Sequence, residues 1–270
     1  MKDILQDIVA NKRLEVERQK QAVPLSLLLG LGSEQLERPT RSMRQSLAAC
    51  PPGIIAEFKR KSPSKGWLHP GARVADVVPA YEAGGAAACS ILTDTDFFGG
   101  SLGDLREARR LTRLPLLRKD FVVDAYQLYQ ARAMGADAVL LIAACLTPAQ
   151  CSDFAGLAHT LGLEVLLEIH SEEELGHLQA QADMVGINNR NLGSFHTDVG
   201  HSFQLAATVQ QALAEQANPP LLISESGITD PTSVNKLREA GFSGFLIGET
   251  FMKTEQPGET LKQFIGGTTR

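Results

Sequence analysis

The sequence predicts an α/β protein, a single (β/α)8 TIM barrel with a helical N-terminal extension, on three observations. Short apolar runs alternate with helix-like stretches eight times from Gly53 onward. Several helix-like stretches carry Pro just inside the start or Gly just past the end, as helix termini should. The 270 residues with 43% hydrophobic content suffice for one large core, and no shift in composition marks a second domain.

Residues 1–50 read as the extension. Ile4, Ile8, Leu14 and Val16 give an approximate helical stripe, and Pro24 and Pro39 break the region into pieces. The barrel is expected over 51–270. Its strands are expected at Ile54–Phe58, Ala88–Leu92, Leu116–Arg118, Ala138–Ile142, Glu164–Ile169, Met184–Ile187, Leu221–Ser224 and Gly244–Ile247. Their starts lie roughly 20 to 37 residues apart, which leaves room for one helix between each pair, as parallel crossovers require. Helices are expected at Val74–Glu82, Ala125–Met134, Pro148–Leu161 and Pro231–Ala240, followed by Gly84-Gly85, Gly135, Gly162 and Gly241. A doubly wound open sheet is the rival architecture, but no GxGxxG follows the first strand. Gly99-Gly100-Ser101-Leu102-Gly103 resembles one only superficially and follows the second strand.

A net charge of −5 argues against a nucleic-acid partner, because binding a phosphate backbone needs clustered positive charge. The basic cluster Lys59, Arg60, Lys61 and Lys65 is local and suits a small phosphorylated ligand better than a polymer. Cys50, Cys89, Cys145 and Cys151 form no CxxC pair and have no His at metal-ligand spacing, so they read as reduced thiols without a metal. Asp3 and Asp7 stand where a signal peptide would be apolar, and the longest apolar run, near Ala138–Leu146, is too short to span a bilayer. The expectation is a soluble, cytoplasmic protein with no membrane contact.

The C-terminal strand ends of such a barrel surround one pocket. At the first, Glu57 and Lys59 are two apart and so point to the same side of an extended chain, and Ser62-Pro63-Ser64 then opens a loop. An acid and a base placed together suit proton transfer. The second strand leads through Thr93-Asp94 to Phe97-Phe98-Gly99-Gly100-Ser101, and the third ends in Arg118-Lys119-Asp120-Phe121. The fifth ends in Glu168, the sixth in Asn188-Asn189-Arg190-Asn191, the seventh in Ser224-Glu225-Ser226-Gly227 and the eighth in Gly248-Glu249-Thr250. The fourth, Ile142-Ala143-Ala144, is apolar and suits a ligand wall. Buried charge is costly unless paired, so this many polar ends argue for one shared polar cavity. Each residue keeps an ordinary reading: Lys119 or Glu168 as a structural ion-pair partner, Asn188 as a turn cap, Phe98 and Phe121 as core aromatics, Ser226-Gly227 and Gly248 as turn residues. Small residues after strands seven and eight are also where such barrels bind phosphate through backbone N–H groups.

Ile55–Ser64, Ser90–Asp94, Phe98–Ser101, Arg118–Phe121, Leu167–His170, Gly186–Leu192, Ser224–Ile228 and Leu246–Glu249 together resemble, in order, the motifs of the indole-3-glycerol-phosphate synthase family of tryptophan biosynthesis. The first motif is highly specific. The others are weak singly and strong together. The resemblance implies a carboxy-lyase that closes, decarboxylates and dehydrates 1-(2-carboxyphenylamino)-1-deoxyribulose 5-phosphate to indole-3-glycerol phosphate, with no redox cofactor or metal. It implies that Lys119 is the main general acid and Glu168 the general base. Glu57 and Lys59 would form a charged pair beside them, with Lys59 near the substrate carboxylate or acting as a second acid. Asn188 would bond substrate hydroxyls and hold the carboxylate, with Arg190 nearby, and Glu225 and Ser226 would line the seventh strand end. Ser62, Gly227, Gly248 and Glu249 match phosphate-holding positions, and Phe98 and Phe121 would sandwich the anthranilate ring. Glu249 would offer only its backbone N–H, its side chain turned away from the phosphate.

Two electrostatic expectations accompany these roles. Lys119, among other cations in a partly dry pocket, should have a lowered pKa, and a carboxylate screened by the apolar wall should move the other way. The loop Arg60–Pro70 is expected to act as a mobile lid. Association with another tryptophan-pathway enzyme stays open. The alternatives are another phosphate-binding barrel such as phosphoribosylanthranilate isomerase, whose Cys/Asp acid–base pair the Glu57–Lys59 end does not match, and a non-catalytic ligand-binding barrel, which the presence of both Lys119 and Glu168 disfavours.

Overall fold

The computed structural model of the chain describes residues 4–190 and 196–268, so Asn191 and Leu192 of the sixth-strand motif lie outside the described residues. Its strands are β1 (Ile54–Phe58), β2 (Lys61–Ser62), β3 (Gly66–Trp67), β4 (Ala88–Leu92), β5 (Leu116–Lys119), β6 (Ala138–Ile142), β7 (Glu164–Ile169), β8 (Met184–Asn188), β9 (Leu221–Glu225) and β10 (Gly244–Ile247). Eight of them, all parallel, close a barrel in the order β1-β10-β9-β8-β7-β6-β5-β4. The short antiparallel pair β2–β3 lies outside it, in the loop after β1.

Strand periodicity explains how one run of sequence serves two purposes. Ile54, Ala56 and Phe58 join the layer between barrel and helices, while Ile55 points inside with Ala88, Leu117, Leu140, Leu166, Met184, Ile223 and Leu246. Two residues beyond such inner positions, on the same face, stand Glu57, Lys119, Ile142, Glu168, Glu225 and Gly248, with Asn188 at the end of β8. The apolar layer is thus the floor of the polar one.

The helices are α1 (Ile4–Ala22), α2 (Leu25–Leu31), α3 (Ser33–Glu37), α4 (Met43–Ala49), α5 (Val74–Ala83), α6 (Leu102–Leu111), α7 (Tyr126–Ala133), α8 (Pro148–Thr160), α9 (Gly200–Leu213), α10 (Pro231–Glu239), α11 (Glu249–Met252) and α12 (Pro257–Gly266). The glycine-rich stretch after β4 is a helix start: the Ser101 hydroxyl caps α6 by accepting from the Asp104 N–H. Between β7 and β8 the expected α-helix is replaced by 3-10 winding over Glu172–Ala180. This crossover has the fewest residues, and the larger rise per residue of 3-10 winding helps it span the barrel. Among the described residues no helix is long and apolar enough to cross a membrane.

Residues 4–50 touch both ends of the barrel. Leu5, Ile8, Lys12 and Val16 form the buried face of α1, whereas Leu14, expected in that stripe, is 59% exposed. The stripe is displaced because a lysine takes one of its positions. Lys12 Nζ lies 3.0 Å from both Asp94 and Asp120, at the ends of β4 and β5, and 2.7 Å from Glu15. Burial opposes its charge, but the three carboxylates outweigh burial and hold Lys12 well above the usual lysine range. At the opposite end, Met43 and Leu47 of α4 pack into the inner core and close the barrel floor.

Candidate active site

A cavity of about 560 Å³ opens at the C-terminal strand ends. Glu57, Lys59, Ser62, Phe98, Lys119, Phe121, Glu168, Asn188, Arg190, Glu225, Ser226, Gly227, Gly248 and Glu249 all line it, so the polar strand ends do share one space. Sequence reasoning missed its roof, which is Ile4, Leu5 and Ile8 of α1. The apolar stripe of that helix was legible, but nothing in it says which surface it covers. Lys253, just past α11, also lines the cavity and carried no local signal.

At the centre stands Lys119. Its Nζ lies 3.3 Å from Glu168 Oε2 and 3.8 Å from Glu225 Oε2. Burial disfavours its charge, but Glu168, Glu225 and Glu57 more than compensate, and its pKa is raised far above the ordinary value. This reverses the expectation of a lowered lysine. Carboxylates, not cations, are its nearest charged neighbours, because β1, β7 and β9 each deliver a glutamate to the same layer.

The carboxylates divide. Burial pushes Glu168 up, but Lys119, His170 and a hydrogen bond from Asn188 prevail, and Glu168 is held well below the usual carboxylate range. The expected upward shift belongs to Glu225 instead. Burial, then the Glu168 charge, push Glu225 to about 8, with Lys119 opposing. Neither Glu225 oxygen finds a well-aligned donor. Two carboxylates around one ammonium cannot both ionise cheaply, so the pair keeps a proton to higher pH than a free carboxylate would, and Glu225 is the member pushed up. Gly186, between them on β8, has no side chain because a Cβ there would collide with Glu225 Oε1.

Glu57 is held ionised against its burial by Lys59, whose Nζ is 2.7 Å away, and by Lys119. Gly248 makes room for that carboxylate, since a Cβ there would meet Glu57 Oε1. The Asn188 Oδ1 accepts from the Arg190 N–H at 3.0 Å, which leaves its amide nitrogen to donate to Glu168. Arg190 reaches across the mouth to the Ser64 hydroxyl and, at 3.5 Å, to Glu249 Oε2. The Glu249 side chain is therefore paired with a cation of the rim. Ser226 and Gly227 both have positive φ, 69° and 76°. A non-glycine residue so placed costs on the order of 1–3 kcal/mol, a strain typical of functional turns.

Phe98 and Phe121 do not form a sandwich. Their ring centroids are 5.9 Å apart at 38°, so they already touch and make one aromatic wall. The loop expected as a lid is the β2–β3 hairpin, with a pinned base. Arg60 makes a bidentate pair with Asp104 at 2.7 and 2.8 Å and donates to Ala72 O.

A family described as indole-3-glycerol phosphate synthase matches residues 5–264. Proteins of that name from Bacteroides thetaiotaomicron and from Azoarcus sp. strain BH72 are 58% and 45% identical to the chain. The first match covers 98% of both proteins, the second 98% of this chain and all of the relative. Among solved structures, tryptophan synthase from Pyrococcus furiosus, in its a2b2 complex, superposes with a TM-score of 0.57 at 15% identity, over 80% of this chain and 96% of that one. Thiamine phosphate pyrophosphorylase from the same organism gives 0.57 at 17% identity, over 83% and 98%. At such identities the structural likeness speaks to the barrel alone. The sequence matches reach further, and on them this chain belongs to the indole-3-glycerol phosphate synthase family.

Proposed function

We propose that the chain is a carboxy-lyase that converts 1-(2-carboxyphenylamino)-1-deoxyribulose 5-phosphate to indole-3-glycerol phosphate, CO2 and water. The observation that carries this reading is a charged Lys119 held among Glu168, Glu225 and Glu57 on the floor of a cavity with an aromatic wall. Family membership narrows the substrate to this one.

The ring carbon bearing the carboxylate attacks the ketone, and the ketone oxygen becomes strongly basic as the bond forms. Lys119 donates a proton to it at that stage. A tightly held ammonium proton is acceptable to such an oxygen, and holding it ensures that the donor is charged when substrate arrives. Loss of CO2 leaves its electron pair in the ring. A second proton then turns the new hydroxyl into departing water, and a base removes one C–H proton to complete the indole. Glu168, ionised and braced by Asn188, suits the base role. It is a weak base, but the cation it deprotonates is a strong acid. Lys59 is the second donor, paired with Glu57 at 2.7 Å. Two protons enter and one leaves, so each turnover draws one proton from solvent.

The remaining lining residues take the ends of the substrate. Phe98 and Phe121 stack on one face of its aromatic ring. Ser62, Gly227, Gly248 and the Glu249 N–H take the phosphate, with Arg190 holding the Glu249 carboxylate aside.

Fluorescence of the indole product tests this directly. Wild-type protein given the substrate should form product, and Lys119→Ala and Glu168→Gln should each slow it by about 10²–10⁴-fold. A folded wild-type protein that forms none would overturn the reading.

A further inference from the structure

His170 follows Glu168 by two residues at the end of β7, so both side chains leave the strand on the same side. Its Nε2 lies 3.3 Å from Glu168 Oε1 and its Nδ1 3.7 Å from Glu174 Oε2, and its side chain is only 11% exposed. These are charge contacts rather than aligned hydrogen bonds, as neither ring nitrogen has a partner of good geometry. The His170 backbone is held on both sides: its N–H donates to Glu174 Oε2 at 2.6 Å, and its carbonyl accepts from His201 Nε2 on α9 at 2.7 Å. The ring therefore stands between an inner and an outer carboxylate.

We infer that His170 is a positioning residue for the reaction proposed above, an imidazolium that braces the second oxygen of Glu168 and keeps that carboxylate in its base form. Lys119 and Asn188 act on Glu168 from the cavity, and their contacts will be disturbed each time substrate enters. His170 is absent from the cavity lining, so its contact persists through turnover. Burial works against a charge on His170, but Glu168 and Glu174 overcome it and raise the ring to about 9. The other ionisable groups facing this pair are Lys119 and Glu225 across the cavity, the His201 ring on α9 at the His170 carbonyl, and the Cys145 thiol, which burial and the two glutamates push up to about 12 and so leave neutral.

The sign of the effect is fixed. A cation beside Glu168 favours its ionised form, so removing that cation raises the Glu168 pKa, and the acidic limb of the kcat/KM profile moves to higher pH. His170→Gln keeps an N–H donor but no charge, and Glu174→Gln removes the outer anion while leaving the ring. In His170→Gln the limb should rise by about one unit, tenfold in rate on that limb, with KM nearly unchanged. Glu174→Gln leaves the ring cationic on that limb and should not raise it. A limb that stays in place in folded His170→Gln, or that rises as much in Glu174→Gln, overturns the inference. An arm without substrate separates this failure from that of the reaction itself. By proton NMR the His170 ring of the wild type should titrate near 9, and lower in Glu168→Gln. A ring titrating near the ordinary histidine value would overturn the brace even if product forms. A high titration in a protein that forms no product would overturn the reaction and leave the brace standing.

Discussion

The barrel buries a cluster of charge at each end, and the two are built on opposite plans. At the floor, Asp137 is fully buried and accepts from four donors: Arg38 Nη2 at 3.1 Å, the Arg41 N–H at 2.9 Å, Arg109 Nη1 at 2.7 Å and the Leu116 N–H at 2.9 Å. Nearby, Glu164 accepts from the Ser42 hydroxyl and the Arg44 N–H, and Arg132 donates to the carbonyls of Leu36, Arg38 and Leu161. Single nitrogens of Arg109 and Arg132 lack partners, but each guanidinium makes several other bonds. At the mouth, Glu225 is equally buried yet has no aligned donor on either oxygen. Saturated charge fastens the N-terminal segment to the barrel. Charge with spare capacity can bind and exchange protons, and it marks the end where chemistry is proposed.

If that contrast is right, the two clusters must fail differently. The largest effect is expected at the mouth. Lys119→Ala should lower kcat/KM about 10³-fold, roughly 4 kcal/mol of barrier, with only a small change in thermal midpoint. Unfolding of this variant would place Lys119 with the structural charges instead. At the floor, Asp137→Ala leaves Arg38 and Arg109 facing a void, and urea denaturation should show a loss of about 3 kcal/mol while kcat per folded molecule is unchanged. A variant of full stability and low kcat would erase the distinction. The smallest effect sharpens the comparison by pH. Because the folded-state pKa of Glu225 lies above its ordinary value, its contribution is intact at low pH and is lost as pH rises through about 8. Glu225→Gln resembles the neutral acid and should escape that loss, gaining over wild type on the order of 1 kcal/mol per pH unit from about pH 5 to 8 and no more above it. Parallel stability curves for the two proteins would deny Glu225 its buried proton.

Much of this was legible in the sequence. Parallel strands are covered on both faces, so each reads as an apolar run, and their ends could be located to within one residue. Reading the residue at each strand end located a shared polar cavity, since the pleat carries an inner apolar position to a polar one two residues on. Helix α6 escaped notice because its cap sits among glycines that looked like a loop, and α9 has neither a Pro start nor a Gly stop; α12 was passed over although Pro257 opens it and Gly267 follows it. The sign of the Lys119 shift was not legible. It depends on which strands face β5 across the barrel, and only closure brings Glu57, Glu168 and Glu225 around one nitrogen. The role of α1 as a roof was hidden for the same reason: Lys12 reads as a surface lysine until Asp94 and Asp120 are placed beside it.

The floor clamp also sets a timetable. Arg38 meets Asp137 across 99 positions and Ser42 meets Glu164 across 122, so the segment emerges from a ribosome long before its partners do. At ordinary elongation rates the delay is on the order of 5–20 s. Throughout it, Met43 and Leu47 have no barrel to plug, and their apolar face stays available to a chaperone or to another nascent chain.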